Sequence, residues 1–94
     1  MLIVEHFFEP GSRAIRALGV VGVTVANPST SPVTVTLYTP TRVGGNPIFV
    51  LQVPANDTRT VMLPEPVPVQ HALDAVWTGT GVTVTVYLVI PSTG

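Results

Sequence analysis

Cysteine and lysine are both absent from this 94-residue chain, and charge of either sign is scarce. Without cysteine there is no disulfide framework, no thiolate nucleophile and no Cys-ligated zinc. Without lysine there is no Schiff-base chemistry. The four basic residues, Arg13, Arg16, Arg42 and Arg59, are too few for a polybasic patch, so neither a nucleic-acid partner nor a membrane surface is expected. Charged residues make up 10% of the chain against an average of about 25%, while hydrophobic residues reach 46%. Such a chain cannot cover its outside with charge. With a net charge of -1 and a positive mean hydropathy it is poorly defended against association. Part of its apolar surplus is therefore expected to be covered by another subunit.

Two other features are missing. Met1 to Val4 is apolar but Glu5 and His6 follow at once, which is too short and too uncharged at the front for a signal peptide. The long uncharged runs Ala17 to Thr41 and Ala75 to Gly94 are broken by turn residues and alternate with threonine, so hairpins are expected there rather than membrane spans.

What is present is strand pattern. Val82, Val84, Val86, Leu88 and Ile90 share one parity and Thr83, Thr85 and Tyr87 the other, a period of two that puts one row on each face of a β-strand. A near-copy, V-T-V-T-L-Y, runs from Val33 to Tyr38. Leu2 to Phe8 reads as a first strand, with Ile3, Glu5 and Phe7 on one side and Leu2, Val4, His6 and Phe8 on the other. Glu9 to Ser12 is a turn by composition, and Arg13 to Leu18 forms one helical turn or an irregular crossing. From Gly19, Val21, Val23 and Val25 line one face, and Asn27 to Pro32 reverses the chain into the first copy as a hairpin with a long loop. Thr39 to Asn46 is a loop with Arg42 at its tip. Pro47 to Val53 and Thr58 to Leu63 are strands about a turn at Pro54 to Asp57. Pro64 to Pro68, with three prolines, cannot enter the middle of a sheet and is expected to run as an extended connection. His71 to Thr78 carries Leu73, Ala75 and Trp77 on one face, and T-G-T-G turns it into the last strand.

About seven strands separated by Pro, Gly and Asn turns predict an all-β fold: one antiparallel β-sandwich or barrel spanning 1–94, with 1–18 as an N-terminal strand and arm and 19–94 as the core. A domain of this size hides roughly 60 to 65% of its unfolded surface, enough to fold alone with little margin.

No constellation names a reaction, and no enzymatic activity, cofactor or metal is expected. Glu5 and His6 point to opposite faces of a strand, and His71 and Asp74 would share a face only on a helix. No serine lies in G-x-S-x-G, and Gly44 and Gly45 precede Asn46-Pro47 rather than a phosphate-binding helix. Thr-x-Thr rows can order water as ice-binding surfaces do, but such surfaces need long arrays, and each copy here offers two threonines. A solvated strand face is the ordinary reading. Tyr38 and Tyr87 suit a sheet margin or a subunit contact.

What remains is an association surface. Phe7, Phe8, Ile48, Phe49 and Trp77 are more bulk than a small sandwich hides easily, and the first strand is a natural edge that invites pairing. Arg13, Arg16, Arg42 and Arg59 are spread as rim contacts to a partner's carboxylates would be. The expected interface is Phe7, Phe8, Arg13, Arg16, Arg42, Ile48, Arg59 and Trp77.

The chain also resembles a family. With its cysteine-free Val/Thr/Pro/Gly texture, the turn V-P-A-N-D-T-R-T-V and the ending A-V-W-T-G-T-G-V-T-V-T-V-Y, it is similar over Pro47 to Ile90 to small virion structural proteins of tailed bacteriophages, especially capsid decoration (cement) proteins. The resemblance implies a β-sandwich or barrel on the capsid surface that clusters, commonly as a homo-oligomeric trimer, and clamps the major capsid protein through non-covalent interface. It carries over no catalytic or contact residues. The alternative is a carbohydrate-binding or host-attachment module with Trp77, Tyr38 and Tyr87 as stacking platforms.

Overall fold

A computed structural model of the protein describes residues 2–14, 19–39, 45–69 and 72–89. These form eight strands: β1 (Leu2–Phe7), β2 (Gly11–Ala14), β3 (Gly19–Asn27), β4 (Val33–Thr39), β5 (Asn46–Val53), β6 (Asp57–Pro68), β7 (Ala72–Val76) and β8 (Thr83–Val89). Two four-stranded sheets result, in the orders β1-β8-β3-β6 and β2-β7-β4-β5, with every pairing antiparallel.

The order has a simple generator. Strand β1 pairs with β8, β2 with β7, β3 with β6 and β4 with β5, as in one long antiparallel ribbon. Rolling that ribbon brings β8 against β3 and β7 against β4, which closes the two sheets. This is the jelly-roll arrangement of an eight-stranded sandwich. It corrects the hairpins expected from Gly19 to Tyr38 and from His71 to Ile90, because β3 and β4, like β7 and β8, lie in opposite sheets. Their exposed loops cross from one sheet to the other. Among the described strands, only β4 and β5 are consecutive in sequence and bonded to each other.

Alternation decides what goes inside. Val82, Val84, Val86 and Leu88 enter the core beside Val33, Val35, Leu37 and Leu73, Ala75, Trp77. Full burial of each large aliphatic side chain is worth about 1.5 to 3 kcal/mol, so these rows hold the sheets together. On β3 the expected parity fails at one end. A bulge between Val20 and Gly22 inserts an extra residue against β8, so Val20 points inward and Val21 does not, while Val23 and Val25 keep their places.

Two further expectations are corrected. Gly11–Ala14, given to a turn and to the start of a possible helix, is the edge strand β2 bonded to β7; residues 15–18 lie outside the described set. Within the N-terminal segment, β1 and β2 contribute one edge to each sheet, and Phe7 is 1% exposed in the core. The proline-rich segment is also strand. It forms the end of β6, an edge, where the pairing slips from Gly22↔Met62 to Val20↔Val67 and leaves Pro64 and Pro66 in the irregular stretch. Gly19 is required there, because a Cβ would meet the Val67 carbonyl oxygen at 2.7 Å.

Candidate docking surface

The outer face of the β1-β8-β3-β6 sheet is assembled by register. One row crosses all four strands as Val4, Tyr87, Gly22 and Met62, and the next as His6, Thr85, Thr24 and Thr60. Neither row contains aspartate, glutamate, lysine or arginine. Gly22 has no side chain to fill its place, and the Met62 thioether lies over it, where a Cβ would collide with Sδ. Leu2, Val4 and Met62 are exposed, at 57%, 43% and 60%, and so is Phe8 just beyond β1, at 71%.

The polar groups in these rows bond among themselves. Thr24 Oγ1 lies 2.8 Å from Thr60 Oγ1 and 3.0 Å from the Tyr87 hydroxyl, and His6 Nδ1 lies 3.1 Å from Thr85 Oγ1. The His6 ring stacks on Phe8, with centroids 6.2 Å apart. Hydroxyls paired sideways present less unmet hydrogen-bonding capacity outward. The surface is therefore a flat, weakly polar sheet face bordered by exposed apolar side chains.

The opposite outer face, on β2-β7-β4-β5, exposes one large apolar side chain, Val50 at 61%, in a row with Thr36 and Val76. Its next row aligns Ser12, Asp74, Tyr38 and Pro47 and so, unlike the two rows above, contains a carboxylate, with Asp74 6% exposed. His71, considered with it in sequence, lies outside the described residues.

The expected interface residues scatter. Phe7 and Trp77 are interior, which corrects their assignment to a surface; Trp77, at 6% exposure, offers no face to a sugar ring. Ile48 sits at the β4–β5 register shift and packs, like Phe49, partly buried on the core. Of the aromatic and aliphatic bulk counted as surplus, only Phe8 stands clear. Arg13 bridges the two sheets at their β1–β2 side: its guanidinium donates to Glu5 Oε1 at 3.1 Å and stacks 4.5 Å above the Phe7 ring. Arg59 donates through Nε to Asp57 Oδ2 at 3.1 Å. Together with the Thr58 N–H, that bond holds the Asp57 carboxyl below its ordinary value. Both described arginines thus have carboxylates within the chain, and Arg16 and Arg42 lie outside the described residues. Leu2, Val4 and Met62 were missed as surface candidates; the outward parity of β1 was the signal for the first two.

The loop end of the sandwich offers two hollows. One, of about 270 Å³, is lined by Pro32, Gln52, Pro54 and Arg59, and another, of about 260 Å³, by residues including Asn27, Asn56 and Asp57. Their neighbourhood is braced by Asn27. Its amide donates to the carbonyls of Ser31, Val53 and Pro54 and its Oδ1 accepts from the Ser29 N–H and hydroxyl. Among the described residues no three His, Asp or Glu side chains gather as a metal site would require, and no buried side-chain polar atom lacks a partner.

No protein-family model, curated protein or solved structure matches this chain.

Proposed function

We propose that the protein is a non-enzymatic virion structural protein, a decoration (cement) protein that docks on a shell of major capsid protein and works from the capsid surface as a homo-oligomer. The observation that carries this reading is the outer face of the β1-β8-β3-β6 sheet, which holds exposed Leu2, Val4 and Met62 and, in its two central rows, no residue of fixed charge. Jelly-roll sandwiches recur in viral capsid domains, an analogy of fold that agrees with the resemblance read in the sequence.

The mechanism is interface rather than chemistry. Full burial of a large apolar side chain is worth about 1.5 to 3 kcal/mol, and these side chains are already partly covered, so one copy gains only a few kcal/mol by docking. Symmetry-related copies joined to each other turn a weak contact into a tight one through effective concentration. The oligomer implied by the resemblance is a trimer.

Shells carrying the protein are expected to melt at a higher temperature than bare shells, and Val4→Glu/Met62→Glu protein to lose both binding and protection while keeping its own fold. Equal shell stability with and without the protein, or full protection by the double variant, overturns the reading.

A further inference from the structure

The four sheet edges are unequal. Strand β6 is interrupted in its second half by Pro64, Pro66 and Pro68, which lack the N–H a neighbouring strand would need, and its proline-free half carries the charged Asp57 and Arg59. Strand β5 carries Pro47 and a register shift opposite Leu37 and Tyr38. Strand β2 is four residues long. Strand β1 has six residues, no proline and no bulge; it pairs with β8 alone, and its outward side chains are Leu2, Val4 and His6. Among the described edges it is the only strand longer than four residues with neither a proline nor a register irregularity.

We propose that β1 pairs antiparallel with β1 of a second copy of this chain, joining two sheets into a continuous eight-stranded sheet about a two-fold axis. The occupant follows by elimination within the molecule. A ring built by strand addition would have to seat β1 on β2, β5 or β6 of the next copy, each short or interrupted over part of its length, whereas β1 on β1 is uninterrupted and self-complementary.

The register follows from charge and parity. Pairing centred on Glu5 sets two carboxylates directly opposite each other, which is unfavourable. Odd registers put the exposed row of one copy on the core side of the other. Centring on Val4 avoids both and engages Leu2 to His6, where centring on Ile3 engages only Leu2 to Val4 of the strand: Val4 meets Val4 of the second copy, His6 meets Leu2, and Glu5 meets Ile3 while keeping Arg13. The exposed apolar side chains of β1 then lie together at the middle of the joined sheet, with a Met62 toward each far side. This edge is small against the roughly 800 Å² per partner of a standard interface, so the dimer dissociates on dilution. It does not depend on the shell reading and replaces the trimer implied by the resemblance with a dimer, so the mass in solution tests the pairing while shell protection tests the docking.

The absence of cysteine makes the test clean. At millimolar concentration, light scattering is expected to give twice the 9.9 kDa chain mass, and Val4→Lys half of that. Under mild oxidation Val4→Cys is expected to form disulfide dimers about tenfold faster than Met62→Cys, because cross-strand neighbours place Cβ atoms within disulfide reach. The mass of one or of three chains for the wild type, or equal cross-linking at the two positions, overturns the proposal. Both cysteine sites are exposed, and circular dichroism of each variant checks that the sandwich is intact.

Discussion

Asn27 ends β3 at 1% exposure, and its one side chain reaches three stretches of chain: its own loop at Ser29 and Ser31, the end of β5 at Val53 and the following turn at Pro54. Asn27→Ala removes two donor hydrogens shared by three carbonyls and one oxygen accepting from Ser29. A hydrogen bond contributes about 0.5 to 1.5 kcal/mol net, and a buried group left without its partner costs about 1 to 3 kcal/mol. The bond to Val53 is buried and the others are partly wet, so the sum is about 2 to 4 kcal/mol. A chain of this length has a total stability of about 5 to 14 kcal/mol, and the midpoint should fall by roughly 10 to 25 °C. Urea denaturation at low protein concentration checks it: the transition moves to lower urea with an unchanged slope. Asn27→Asp sharpens the test. It keeps the acceptor but turns a carboxylate toward three carbonyl oxygens, so at neutral pH it should be at least as damaging as alanine and should recover as acid protonates it. A loss under about 0.5 kcal/mol for Asn27→Ala, within the range of ordinary surface substitutions, refutes the brace.

Two other substitutions probe adjacent claims. Phe7 and Phe8 are neighbours on opposite parities, so Phe7→Ala should cost about 3 to 5 kcal/mol and Phe8→Ala no more than about 0.5 kcal/mol in the same denaturation assay; comparable losses would contradict the inside-outside assignment of β1. Because the folded Asp57 carboxyl is held below its ordinary value of 3.8 by Arg59 and the Thr58 N–H, its contribution is present above that value and disappears as pH falls through the lower folded one. Asp57→Asn should therefore flatten the acid limb of the stability–pH curve slightly, and by less in high salt, since the pair is exposed.

The valine-threonine alternation decided, without any tertiary information, that the chain is all strand and which side chains of β4, β7 and β8 go inward, because a period of two leaves an apolar side chain one face to hide on. It also marked β1 as an edge and exposed the shortage of charge. It could not say which strands pair. A short loop such as P-S-T-S-P after β3 or the T-G-T-G stretch after β7 can turn back within a sheet or cross to the opposite one, and the flanking alternation is the same in both, so β3–β4 and β7–β8 read as hairpins until the ribbon is rolled. The bulge at Val20–Gly22 and the strand hidden in Gly11–Ala14 were likewise settled by partners far along the chain, β8 and β7, which supply the hydrogen bonds those short segments lack on their own. The docking face has the same origin: Val4, Tyr87, Gly22 and Met62 are scattered in sequence, and only register across four strands sets them side by side.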